Sequence, residues 1–155
     1  MLISDHLNIE CICVDLKGET KEDILKELAE LNFKAHPDID RDETLASLFE
    51  REQVLSTGIG EGIAIPHARA SSCSEIFVSF GILRREVDFN ALDNKPVRIV
   101  FLILFPKDQV NLQLRFLARV SRLLQHTSLH DDLYKCESPE EVINTFRKYE
   151  EKHFH

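Results

Sequence analysis

The chain has 155 residues, 43% of them hydrophobic and 30% charged, enough to fill one core and solvate its surface. Nineteen Lys and Arg against 27 Asp and Glu leave a net charge of −8, the wrong sign for a protein that binds nucleic-acid phosphates. No apolar run reaches the roughly 20 residues that span a bilayer, and a start carrying Asp5, Glu10 and Asp15 lacks the basic opening of a signal peptide. A single cytoplasmic domain over residues 1–155, with no direct membrane insertion, is the expectation.

In chain order, Ile9–Leu16 (I-E-C-I-C-V-D-L) reads as a first strand that stops before Gly18. Cys11, Cys13, Cys73 and Cys136 form no C-x-x-C pair, in keeping with a reducing compartment, and Cys11 and Cys13 read as small buried hydrophobes rather than redox nucleophiles. Thr20 with Asp23 resembles a capping box, and Ile24, Leu25, Leu28 and Leu31 follow at helical spacing. After Pro37, the pair Asp40 and Glu43 opens a second helix running to about Arg51. Residues Ser56 to Gly62 (S-T-G-I-G-E-G) then hold three of the five glycines, and Ile63-Ala64-Ile65 runs straight into Pro66-His67.

Two strand candidates follow, Ile76–Leu83 and Val97–Phe105; the second is apolar on both faces, as in a central strand covered by helices on both sides. From Asn111 a helical period places Leu114, Leu117, Val120 and Leu124, with Phe116, opposite Arg115, Arg119 and Arg122. A short helix over Leu129–Lys135 comes next, and Ser138-Pro139-Glu140-Glu141 is the strongest helix start in the chain. This order predicts an α/β fold in which a mixed sheet is sandwiched between helices.

Gly58, Gly60 and Gly62 spell G-x-G-x-G, but a dinucleotide loop must follow a strand and open a helix, and here a helix precedes. What remains is a histidine fixed behind a proline and next to glycines whose N–H groups can approach an anion. That grouping suits phosphoryl transfer through an imidazole nitrogen; equally, it can be a cluster of turn glycines with an incidental histidine. His126 and His130 sit four apart, but Thr127-Ser128 reads as a helix break between them, and no metal is expected.

The run from Glu52 through Ser56-Thr57-Gly58-Ile59-Gly60-Glu61-Gly62-Ile63-Ala64-Ile65-Pro66-His67-Ala68 resembles the phosphorylation-site signature of the fructose/mannitol-type IIA domains of the bacterial phosphotransferase system. Ala91-Leu92-Asp93-Asn94-Lys95-Pro96-Val97 and Pro106-Lys107-Asp108-Gln109 extend the likeness over nearly the whole chain, closest to the stand-alone nitrogen-regulatory branch. The resemblance implies a three-layer α/β/α sandwich with a mixed sheet, and no cofactor. It implies that His67 accepts a phosphoryl group from the phosphocarrier HPr or an HPr-like protein. The acceptor is then a regulatory target protein or, in sugar transport, a IIB domain. It assigns Arg51 to the neighbourhood of the phosphate and places Gln113 where such domains usually carry a second histidine. Thr57 reads either as a turn residue or as a hydroxyl donor to the phosphate, with Gly58 beside it; Arg69 reads as a surface residue or a contact to an acidic partner rather than a catalytic group. Ile59 and the exposed side of the helix from Asn111 are expected to form an apolar shoulder for the donor. The runner-up from another class is a binding module that keeps the fold and signals without phosphorylation.

Overall fold

Strands β5 (Phe77–Val87) and β6 (Val97–Pro106) form the antiparallel spine of the computed structural model, which describes residues 2–154. β1 (Ile12–Cys13) pairs parallel with β5 on one side. On the other side of β6 lie β3 (Ile63–Ala64) and β4 (His67–Ala70), both parallel to it, and β2 (Gly58–Gly60) closes the edge antiparallel to β3. The sheet is mixed, as the sequence predicts.

Alternation along β6 sorts the core into two layers. Ile99, Phe101, Ile103 and Phe105 pack with Phe116, Val120, Leu133 and Phe146, from helices α3 (Val110–His126), α4 (Leu129–Tyr134) and α5 (Pro139–His153). Val100, Leu102 and Leu104 pack against Leu25, Leu28 and Leu48, from α1 (Lys21–Ala35) and α2 (Arg41–Val54). A strand covered on both faces has to be apolar at every position.

The helix starts follow the sequence. Thr20 Oγ1 accepts from Asp23 N, Asp40 Oδ1 from Glu43 N, and Ser138 Oγ from Glu141 N. Glu141 differs from a reciprocal capping box: its carboxylate accepts from Glu137 N. α2 runs to Val54, past the expected end, which puts Arg51 in its last turn. The helix break at Thr127-Ser128 is present, so His126 and His130 lie on separate helices.

Three readings are corrected. The first strand shrinks to Ile12–Cys13, because Asn8 accepts from Glu10 N and winds Ile9–Cys11 into a 3-10 turn. Burial there pushes the Cys11 thiol up to about 11, which makes it an inert packing group. Leu114 is 61% exposed, and the buried side of α3 is Phe116, Val120, Leu123 and Leu124. The residues after Pro66, not expected as a strand, form β4.

Candidate functional site

β3 and β4 run along the same edge of β6, and the register does not slip between them. Ile63 and Ala64 face Ile99 and Val100, and His67 and Ala68 face Ile103 and Leu104. Pro66 interrupts the ladder because it has no N–H, yet its carbonyl still accepts from Ile103 N at 2.9 Å. Side chains alternate: Ala68 and Ala70 are buried against α2, while His67 and Arg69 point the other way. His67 therefore emerges half-buried at the start of β4, opposite Ile103 of β6, on the wall of a crevice.

That crevice is a cleft of about 730 Å³ between the end of α2 and the start of α3, and its wall includes Arg51, His67, Arg69, Lys107 and Gln113. His67 Nδ1 lies 2.9 Å from the Ile65 carbonyl. A carbonyl only accepts, so Nδ1 carries the proton and the Nε2 lone pair is left free. Burial, and secondarily the Arg51 charge, hold the ring's pKa below its ordinary value, while the Ile65 carbonyl and Glu52 oppose them. The ring is neutral at pH 7.

Arg51 Nη1 donates to the Leu55 carbonyl at 2.7 Å, which pins the guanidinium at the helix end it complements. Gln113 sits in the first turn of α3 with its Oε1 buried and without a partner among the described residues. A buried acceptor left open calls for a donor, so it is the Gln113 amide N–H and not Oε1 that suits an anion in the cleft. Against the cations Arg51, Arg69 and Lys107 the wall sets Glu50 and Asp108.

Thr57 and Gly58 are not brought to this cleft. Thr57 is 3% exposed and both its N–H and its hydroxyl donate to the Glu52 carboxylate. Glu52 in turn meets Lys21 Nζ at 2.6 Å, with side chains 5% and 13% exposed respectively. Gly58 N donates to Ser56 Oγ, and a Cβ at Gly58 would meet Ala91 Cβ at 2.9 Å. The glycines serve a hairpin turn, where Gly60 and Gly62 take φ of 99° and 82°, and they do not line a cradle beside His67. Ile59 is likewise half-buried, with its carbonyl accepting from Gln125 Nε2. Exposed large apolar residues include Val54 and Leu55 at the end of α2 and Val110 and Leu114 at the start of α3, besides Leu2, Ile9 and Leu92 elsewhere.

Sequence reasoning set Arg69 aside and did not single out Lys107. The signal lay in the parallel pairing of β4 with β6: Arg69 faces Phe105, and Lys107 follows the end of β6. Parallel strands bring their C-terminal neighbours together, but the pairing itself is non-local.

The family model described as "Phosphoenolpyruvate-dependent sugar phosphotransferase system, EIIA 2" matches residues 5–149. Among curated relatives, the fructose-specific EIIA component of Haloferax volcanii is 36% identical over 90% of this chain and 91% of its own length. The fructose-specific EIIABC component of Bacillus subtilis is 32% identical over 97% of this chain, which spans only 24% of that longer protein. Among solved structures, the nitrogen regulatory protein IIA-Ntr of Neisseria meningitidis superposes with a TM-score of 0.82 at 28% identity, over 93% of this chain and 98% of that one. No helix among the described residues is long and apolar enough to cross a membrane.

Proposed function

The chain belongs to the EIIA 2 family of the phosphoenolpyruvate-dependent sugar phosphotransferase system, and from that premise we propose that it is a phosphocarrier whose His67 takes the phosphoryl group. The donor is phospho-HPr or an HPr-like protein, and the phosphorylation state acts on regulatory partners. The observation that carries this is the neutral ring with its proton fixed on Nδ1 by the Ile65 carbonyl and its other nitrogen free at a cation-lined cleft.

In the transfer, the donor's P–N bond breaks as a bond from His67 Nε2 to phosphorus forms. The electron pair of the broken bond returns to the donor imidazole, and the Nδ1 proton stays where it is. Charge spreads over the three equatorial phosphoryl oxygens in a loose transition state. Arg51, Arg69 and Lys107 oppose that charge, and Gln113 offers an N–H. Thr57 works at one remove, tying the loop to Glu52 behind the cleft. The test is incubation with the general phosphotransferase enzymes and phosphoenolpyruvate. An acid-labile, base-stable label supports the reading, whereas no label supports the binding module.

A second reading, sugar transport with transfer to a IIB domain, draws on the fructose-specific relative that matches most of its own length. Rapid passage of label to a fructose-type IIB domain decides for it.

Two pH predictions arise here. By NMR, the His67 ring of the unphosphorylated protein is expected to titrate below 6.5, and Arg51→Gln to move it up by removing the cation that holds it down. The folded ring resists a proton that the unfolded ring accepts. This group therefore subtracts stability as pH falls below about 6.5 and has no effect well above it. An unchanged midpoint in Arg51→Gln refutes the pairing.

Gln113, as a neutral ligand, contributes a bond of constant strength, about 0.5–1.5 kcal/mol. Gln113→Ala is expected to speed phosphohistidine hydrolysis a few-fold at every pH. Gln113→His should make the rate depend on pH between about 6 and 7.5, where a histidine gains charge. Superimposable hydrolysis curves for the three proteins would place Gln113 out of reach of the phosphate.

A further inference from the structure

Lys21 lies on α1, off the wall of the cleft, yet a chain of bonds leads from it to the His67 ring. Its Nζ meets the Glu52 carboxylate at 2.6 Å. Glu52 accepts from both the N–H and the hydroxyl of Thr57. The Thr57 carbonyl accepts from Ile65 N at 3.0 Å, and the Ile65 carbonyl accepts from His67 Nδ1 at 2.9 Å. A second branch runs through Phe89, whose carbonyl takes Lys21 Nζ at 3.3 Å and Ser56 Oγ at 2.5 Å. Lys21 thus ties α1, the end of α2, the loop after it and the segment after β5 at one buried point.

Stability alone does not account for a lysine at this place. A cation in the first turn of α1 opposes the helix dipole, and a buried ion pair gains little over well-packed apolar side chains of the same volume. What the cation does supply is a fixed, ionised carboxylate, and bonds to an ionised acceptor are about twice as strong as neutral ones. We infer that Lys21 is a positioning residue for phosphoryl uptake. By holding Glu52 against Thr57 it sets the Ile65 carbonyl, which keeps the ring proton on Nδ1 and leaves Nε2 open to phosphorus. This role rests on the reading of His67 as a phosphoryl acceptor and adds a residue that acts on the ring from behind, without touching the phosphate. A displacement of about 1 Å caused far from the chemistry costs up to about a hundredfold in rate.

The experiment compares the whole chain with Lys21→Met/Glu52→Gln, which removes the buried charges together, and with Val142→Ala, which trims the core under α5 on the other face of the sheet. Ring nitrogen NMR at about pH 8, where the imidazole is neutral, reads the share of His67 with its proton on Nδ1. Phosphoramidate, a small phosphoryl donor that needs no docking, gives the rate of labelling at His67, followed by mass spectrometry, and a thermal melt gives stability. The double variant is expected to melt close to the unsubstituted protein, yet to mix the two tautomers and label about tenfold more slowly. Val142→Ala is expected to melt lower while keeping both tautomer and rate. Thr57→Val deletes one link and leaves Lys21 in place, and it should shift both readouts in the same direction as the double variant. A double variant that keeps the original tautomer or the original rate overturns the inference, as does a Thr57→Val chain that shifts neither. Loss of both in Val142→Ala overturns it too, since instability alone then suffices. An unsubstituted protein that holds the Nδ1–H form and still fails to label overturns the acceptor reading, and this role with it; labelling with an unresponsive double variant strikes the role alone.

Discussion

A His67→Ala chain is expected to take up no phosphoryl group from phospho-HPr while melting within a few degrees of the unsubstituted protein. The loss should be complete, since among the described residues no other histidine lines the cleft. His6 lies edge-on to Phe116 and His36 stacks on Phe77, so both are engaged in packing elsewhere. The small effect on stability follows from the position. The ring is only half-buried, its one side-chain hydrogen bond is to the nearby Ile65 carbonyl, and alanine already occupies both inward-facing positions of β4 without disturbing its pairing. Radiolabel transfer and a thermal melt on the same preparation check both halves. Residual label on the variant moves the acceptor away from residue 67.

Lys21→Met is expected to be the most damaging single change away from the cleft. Lys21 and Glu52 form a buried pair at 2.6 Å, and Glu52 also receives the N–H and hydroxyl of Thr57. Removing the cation leaves a carboxylate inside the protein with no counter-charge, which costs about 3–5 kcal/mol. At about 2–4 °C per kcal/mol for a domain of this size, the melting temperature should fall on the order of 10 °C. Lys21→Met/Glu52→Gln removes the charge as well as its partner and should recover much of that loss. Urea midpoints for the two singles and the double give the coupling directly. If the penalties simply add, the pair is not a unit.

Glu52 links this pair to the site. It lies one residue after Arg51 and anchors Thr57, so the loop leaving α2 is held from inside while Arg51 holds it from outside through Leu55. None of that could be read before the structure, because Lys21 and Glu52 belong to different helices. Local chemistry was legible. The caps at Thr20, Asp40 and Ser138 depend on contacts within three residues, and the alternating faces of β6 depend on burial alone. His67 stood out because proline, glycine and histidine fell together in the sequence.

Two kinds of reading went astray. The first strand was overextended because a short polar side chain, Asn8, offers the backbone a competing bond. β4 was missed because H-A-R-A, with two alanines and an arginine, has little strand propensity and becomes a strand only by pairing with β6. The glycine run misled in a different way. Its positive φ angles are real, but the amide of Glu61 donates to Asp93 and that of Gly58 to Ser56, and none of the three glycines lines the cleft.

The unbroken register of β3 and β4 along β6 decides where this chain can change its length. A residue inserted in the turn over 60–62 enlarges a hairpin at the sheet edge and leaves the imidazole where it stands. A residue inserted between Ala64 and His67 turns over everything after it: the imidazole swings toward Leu48 and the layer under α2, and Ala68 is left facing the cleft. Insertions and deletions among chains built on this plan should therefore fall in the hairpin, where partner-facing shape can drift freely. The eight positions from Ile63 to Ala70 are counted off against the core and tolerate none.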